Sequence, residues 1–217
     1  ATGYKVSDDK LTWTVTIRDD AKFTDGEKVT AQDVAFTYQT AKESGSEIDL
    51  TMIDKITAKD DTTIEFKLNR TYSAFMERLA YLGIVPEHAY DENFKDNPIG
   101  SGPYEFVQWD KGQQVIAKAN ENYYGDKPQI KQLTMVFLDT DAAYSALQKG
   151  DVDVCQINGN LADKKVDGAK VIDIDSIECY GVEFPMQKSG KKAKDGYEMG
   201  NNVTSDEAIR KALNTAV

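Results

Sequence analysis

Between Gln132 and Cys155 the sequence changes its pattern twice, and this stretch constrains the fold more than any other. Gln132-Leu-Thr-Met-Val-Phe-Leu138 has the continuous apolar centre of a strand. Thr140–Lys149 then places Ala143 and Leu147 on one helical face, with Gly150 just past its end. Asp151-Val-Asp-Val-Cys155 returns to a strand pattern. Strand, helix, strand at this spacing predicts a βαβ unit, in which two parallel strands are joined by a right-handed crossover. The expected class is therefore α/β with a mixed sheet. Ligands of such sheets sit outside the carboxyl ends of the parallel strands.

The chain before this point has a different grammar. Leu11-Thr-Trp-Thr-Val-Thr-Ile-Arg18 alternates apolar and polar residues, the pattern of a half-buried strand. Phe23-Thr-Asp-Gly-Glu27 reads as a turn. Thr30 and Asp33 are placed to cap a helix with Val34, Tyr38 and Ala41 on one face, ended by Ser44-Gly45-Ser46. Ile53–Ile56 and Thr62–Leu68 flank Asp60-Asp61 as a hairpin. Ser73 is expected to open a second helix that buries Phe75, Leu79 and Leu82, broken by Gly83 and Pro86. Residues 1–96 thus read as a small α+β unit. Asn97-Pro-Ile-Gly-Ser-Gly-Pro-Tyr104 is a bent connector into a second unit, which starts with a hairpin around Lys111-Gly112. Val171–Ile174 and Cys179–Phe184 are expected strands, and Lys188–Asn202 a polar loop. Thr204 with Glu207 fits a capping box ahead of an amphipathic helix carrying Ile209, Leu213 and Val217. Nothing in the sequence ends that helix, and the chain enters its first strand pattern within a few residues of Ala1. The expectation is an excised piece of a longer protein.

A net charge of −11 argues against a nucleic-acid surface, which needs clustered Lys and Arg. No apolar run approaches the roughly 20 residues of a membrane-spanning helix. The single histidine, His88, excludes a His cluster for a metal and is expected in a surface or capping role. Cys155 and Cys179 are compatible with free thiols or with one disulfide in an oxidising compartment. No nucleophile elbow or P-loop is present, and Gly100-Ser-Gly102 lacks the third glycine of a nucleotide loop. No metal, cofactor or catalytic residue is expected. Permissive backbone at Gly102, Asn158-Gly159 and Cys179-Tyr180-Gly181 instead suits a site that grips a polar small molecule or an extended peptide.

Val6–Val34 resembles the signature region of the family 5 extracellular solute-binding proteins, the peptide- and nickel-binding receptors of ABC importers. Four further blocks follow in the family's order. They are Asn97-Pro-Ile-Gly-Ser-Gly-Pro-Tyr104, Asn122-Tyr-Tyr-Gly-Asp-Lys-Pro128, Ala146-Leu-Gln-Lys-Gly-Asp-Val-Asp-Val154 and Ile209-Arg-Lys-Ala-Leu-Asn-Thr-Ala216. The resemblance implies part of a class II periplasmic-binding-protein fold. Residues 1–96 would be the small subdomain of the first lobe, 97–186 part of its ligand-binding subdomain, and 187–217 the crossover and first helix of a second lobe. Lys188–Asn202 is longer and more basic than the family's crossover. The implied function is capture of di- or oligopeptides, or a related polar solute, between two lobes that close by hinge motion, and delivery to permease subunits outside the cytoplasm. Ligand contacts implied are Gly102, Asn158, Gly159, Cys179, Tyr180 and Gly181. The parent is expected to be a monomer, periplasmic or held at the surface as a lipoprotein. A nickel-chelate receptor is the alternative within the family. A carboxylate-dependent hydrolase or a surface interaction module is the alternative outside it.

Overall fold

A computed structural model describes residues 1–45, 48–157, 161, 164, 166–174, 184–194 and 196–216. The chain divides into two compact units, Ala1–Ser145 and Ala146–Val217.

The first unit opens with a four-stranded antiparallel sheet. Strands β1 (Gly3–Val6), β2 (Thr12–Thr16), β3 (Ile53–Ala58) and β4 (Thr63–Leu68) lie in the order β1-β2-β4-β3. The alternation read in the sequence sets the register. Trp13 pairs with Phe66 and Val15 with Ile64, and all four side chains are buried on one face. Helix α1 (Ala31–Ser44) buries Val34, Tyr38 and Ala41 in the same core. Its start is a capping box: Thr30 accepts from the Asp33 N–H, and the Asp33 carboxylate accepts from the Thr30 N–H. Gly45 ends it with φ 65°, a left-handed cap that glycine takes without a Cβ penalty.

Helix α2 is shorter than expected. It runs only from Phe75 to Leu79, and its first turn has no side-chain cap, so Ser73 does not open it. A helix of this length does not hold itself in water. Its anchor is Phe75, fully buried and set edge-on to Phe66 at 5.4 Å and against Trp13 at 5.3 Å. A short 3-10 turn, Glu87–Ala89, follows.

The second sheet of this unit is a three-stranded meander of β5 (Tyr104–Asp110), β6 (Gln114–Ala119) and β7 (Gln132–Val136), all antiparallel. Gly112 turns the hairpin with φ 78°. Cross-strand partners share a face. The rungs Phe106–Ala117–Leu133 and Trp109–Val115–Met135 make one face apolar. The opposite face carries the Lys118–Glu105 ion pair at 2.8 Å and the hydrogen bonds of Gln108 and Gln114 to Asp110. The apolar face is covered at one end, where Ala117 and Ala119 are buried, and open at the other, where Met135 is 50% exposed.

The predicted βαβ unit does not form among the described residues. Helix α3 (Thr140–Lys149) is where the sequence put it, with the Asp139 carboxylate accepting from the Ala142 N–H at its start and Gly150 at its end. However, β7 pairs antiparallel with β6, and Asp151–Cys155 is not a strand. Val171–Ile174 also lacks strand structure, and Phe184 is irregular. Residues 179–183 lie outside the described residues. The physical reason is that an apolar pattern becomes a strand only when a neighbour supplies ladder hydrogen bonds. None of the described residues does so here, and Val154 is 86% exposed.

In the second unit the polar loop contains a small ribbon, β8 (Lys191–Lys192) paired with β9 (Glu198–Met199). Helix α4 spans Glu207–Ala216. It starts later than the capping-box reading put it. Asp206 accepts from the Ala208 N–H, while the Thr204 hydroxyl donates to the Pro185 carbonyl. Ile209 and Leu213 remain 37% and 39% exposed.

Two substitutions test this packing. Phe75→Ala should cost about 3–5 kcal/mol, as for other buried aromatics, read as a lower urea midpoint for the first unit. At Gly200, φ is 81° and an added Cβ would stand 2.2 Å from the Gln187 carbonyl oxygen. Gly200→Ala should therefore cost more than about 1 kcal/mol, with faster amide exchange along the ribbon.

Candidate functional site

Of the six residues expected to face a ligand, only Gly102 is described. Asn158, Gly159, Cys179, Tyr180 and Gly181 lie outside the described residues. Cys155 is a half-buried free thiol.

Gly102 sits in a connector whose carbonyls are tied down from several directions. The Gly100 carbonyl accepts from the Thr24 N–H at 2.8 Å. The Gly102 carbonyl accepts from Asn120 Nδ2 at 3.0 Å, and the Pro103 carbonyl from the Asn120 N–H at 2.9 Å. Asn120 is only 2% exposed, and its Oδ1 accepts from the Asn122 N–H at 2.9 Å. Those partners fix which amide atom is oxygen and which is nitrogen. A polar side chain buried this deeply is tolerated because it is hydrogen-bonded on both sides.

A second tie joins the end of β2 to the Asn122–Pro128 turn. The Arg18 guanidinium lies over the Tyr124 ring at 4.3 Å and donates to the Tyr124 carbonyl at 3.3 Å. Its edge pairs through two N–H groups with Asp20. The hydrogen bond from Arg18 holds the Asp20 carboxyl below its ordinary range, and the same bond raises Arg18. Burial pushes the Tyr124 phenol up, with Tyr123 adding to the shift.

His88 occupies a surface position, as its sequence context suggested. Its Nε2 lies 2.8 Å from Asp25 Oδ2, and its ring meets Phe23 edge-on. Beside it an open depression of about 600 Å³ is lined by Glu27, Lys28, Thr30, Gln32, Asp33, Glu87 and His88. Asp33, its buried carboxylate, is committed to Thr30 and to the Glu87 N–H. No group of three or more metal-ligating side chains occurs among the described residues.

The sequence of the bacterial extracellular solute-binding proteins, family 5 (middle region), matches residues 1–217. The chain belongs to this family. Protein XP55 of Streptomyces lividans is 35% identical over 98% of the chain and 39% of its own length. The solved structure of Campylobacter jejuni NikZ in complex with Ni(L-His) superposes with a TM-score of 0.77 at 28% identity, covering 100% of this chain and 44% of that one. Bacillus subtilis AppA, solved with a nonapeptide, superposes with a TM-score of 0.61 at 30% identity over 70% of this chain and 33% of that one. The chain thus spans less than half the length of each. The likeness places it in the periplasmic-binding-protein-like fold of family 5, and the members of this family bind solutes.

Sequence reading missed Asn120, Arg18 and Tyr124 as parts of this region. The signal for Asn120 was its place two residues before Asn122, the spacing of an Asx turn. Arg18 carried no local signal, because its partner Tyr124 is 106 residues away.

Asp20 supplies a pH test. Its folded pKa lies below the unfolded one, so its pairing stabilises above the unfolded value, near 4, and the contribution is lost as pH falls through the lower folded value. Both side chains are partly in water, so the effect is screened and small. Asp20→Asn should be less stable than the parent at about pH 6, and the difference should shrink as the pH is lowered through the acid range, in urea melts at each pH.

Proposed function

We propose that the protein carrying this chain is the substrate-binding component of an ABC importer. It captures a di- or oligopeptide, or a related polar solute, and delivers it to membrane permease subunits. The observation that carries this reading is the family match across the whole of residues 1–217. The nonapeptide held by AppA supports a peptide as the solute. In this reading residues 1–96 are the small subdomain of one lobe, 97–186 belong to its ligand-binding subdomain, and 187–217 lead into the other lobe. Gly102, Asn158, Gly159, Cys179, Tyr180 and Gly181 face the solute. The protein works outside the cytoplasm as a monomer, free in a periplasm or held at the cell surface by a lipid. It forms no covalent intermediate and turns nothing over.

The second reading is a nickel-chelate receptor. It is favoured by the likeness to NikZ, which covers the whole chain and was solved with Ni(L-His).

Thermal melts of the full-length gene product separate these readings. A ligand present at 100 times its Kd adds about 2.7 kcal/mol of stability. Peptides of two to nine residues should raise the melting temperature saturably and be recovered intact. A rise with nickel and histidine but with no peptide would assign the second reading. Hydrolysis of the peptides would overturn both.

A further inference from the structure

We propose that the backbone N–H groups of Gly100, Ser101 and Gly102 form a donor strip for a carbonyl or carboxylate oxygen of the solute, and that Asn120 is the positioning residue that holds the strip. The inference rests on the solute-binding reading and adds the chemistry of one contact.

Three observations carry it. First, three carbonyls of the connector are taken while the N–H groups beside them are not. The carbonyls of Gly100, Gly102 and Pro103 take hydrogen bonds from Thr24 and Asn120, whereas the N–H groups of Gly100, Ser101 and Gly102 have no acceptor among the described residues. The glycine positions of this segment therefore offer a ligand more donors than acceptors. Second, the two glycines are uncrowded on the side where a side chain would stand. A Cβ at Gly100 would meet nothing within 4 Å, and one at Gly102 only the Tyr104 carbonyl oxygen at 4.0 Å. Third, the holding group is buried and doubly fixed. Asn120 donates through both its backbone N–H and Nδ2 to consecutive carbonyls of the connector, while its Oδ1 is locked by the Asn122 N–H. Preorganised donors give up less freedom on binding than mobile ones. With a net charge of −11, the chain repels a carboxylate at long range more than an uncharged carbonyl.

The test uses the full-length gene product labelled with carbonyl-¹³C serine and ¹⁵N glycine, which selects the amides of Ser–Gly pairs (Ser44–Gly45, Ser101–Gly102 and Ser189–Gly190 in this chain), the Gly102 signal being the one lost in Gly102→Ala. The probes are trialanine and trialanine amide, with binding followed in parallel by calorimetry. A downfield move of the Gly102 amide proton on saturation is the expected result. If both probes produce it, the acceptor is a peptide carbonyl; if only trialanine does, it is the terminal carboxylate. Asn120→Asp keeps the oxygen that accepts from Asn122 and removes the donor to Gly102. It should weaken binding about tenfold, the scale of one lost hydrogen bond. Should that variant fail to fold, the labelled parent still decides. Heat of binding with an unmoved Gly102 amide would overturn the strip and leave the solute-binding reading standing. No heat from either peptide would remove the peptide reading and the strip with it.

Discussion

Phe66 is the side chain on which the first unit is assembled. It is 1% exposed, and it sits in the central strand β4 between Trp13 of β2 and Ile56 of β3. Tyr38 of α1 and Phe75 of α2 both meet its ring edge-on at 5.4 Å. Sheet and both helices therefore converge on one aromatic group, where edge-to-face geometry adds to the gain from burial. Tyr38 satisfies its own polar atom by donating its hydroxyl to the Leu79 carbonyl at 2.5 Å. Burial pushes that phenol far up, so it stays a neutral donor. The same bond fastens α2, which is too short to persist by itself.

From that core outward, the first unit is tied by polar contacts in one region. Residues 18–29 reach the second sheet through Arg18 on Tyr124 and Thr24 on Gly100, and they reach the 3-10 turn through Asp25 on His88. The connector at residues 97–104 is rich in glycine and proline, a composition that suggests freedom. Three of its carbonyls, those of Gly100, Gly102 and Pro103, are nevertheless held by Thr24 and Asn120.

The meander presents a graded surface. Its apolar face is buried at Ala117 and Ala119 and open at Trp109 and Met135, while β7 continues into Phe137 and Leu138, 49% and 43% exposed. In α4, Ile209 and Leu213 are likewise partly exposed. These side chains have the periodicity of core positions without the cover that core positions need. The relatives are more than twice as long as the part matched by this chain.

The sequence by itself determined the local elements and the family. Alternation placed β2 and β4, Thr30 and Asp33 announced the start of α1, Gly150 marked the end of α3, and five ordered blocks marked a solute-binding protein. These signals were legible because each lies within one turn or one strand of its cause. Tertiary structure alone decided the direction of β7, the absence of a strand at Asp151–Cys155, and the ties of Arg18 and Asn120 to distant backbone. A strand's direction depends on which neighbour offers it ladder hydrogen bonds, and Arg18 meets Tyr124 only after the chain has turned back on itself. The candidate site was legible at Gly102 as a permissive backbone point. That the Gly100 and Gly102 carbonyls are taken by Thr24 and Asn120 is a property of three segments brought together, which no single stretch of sequence contains.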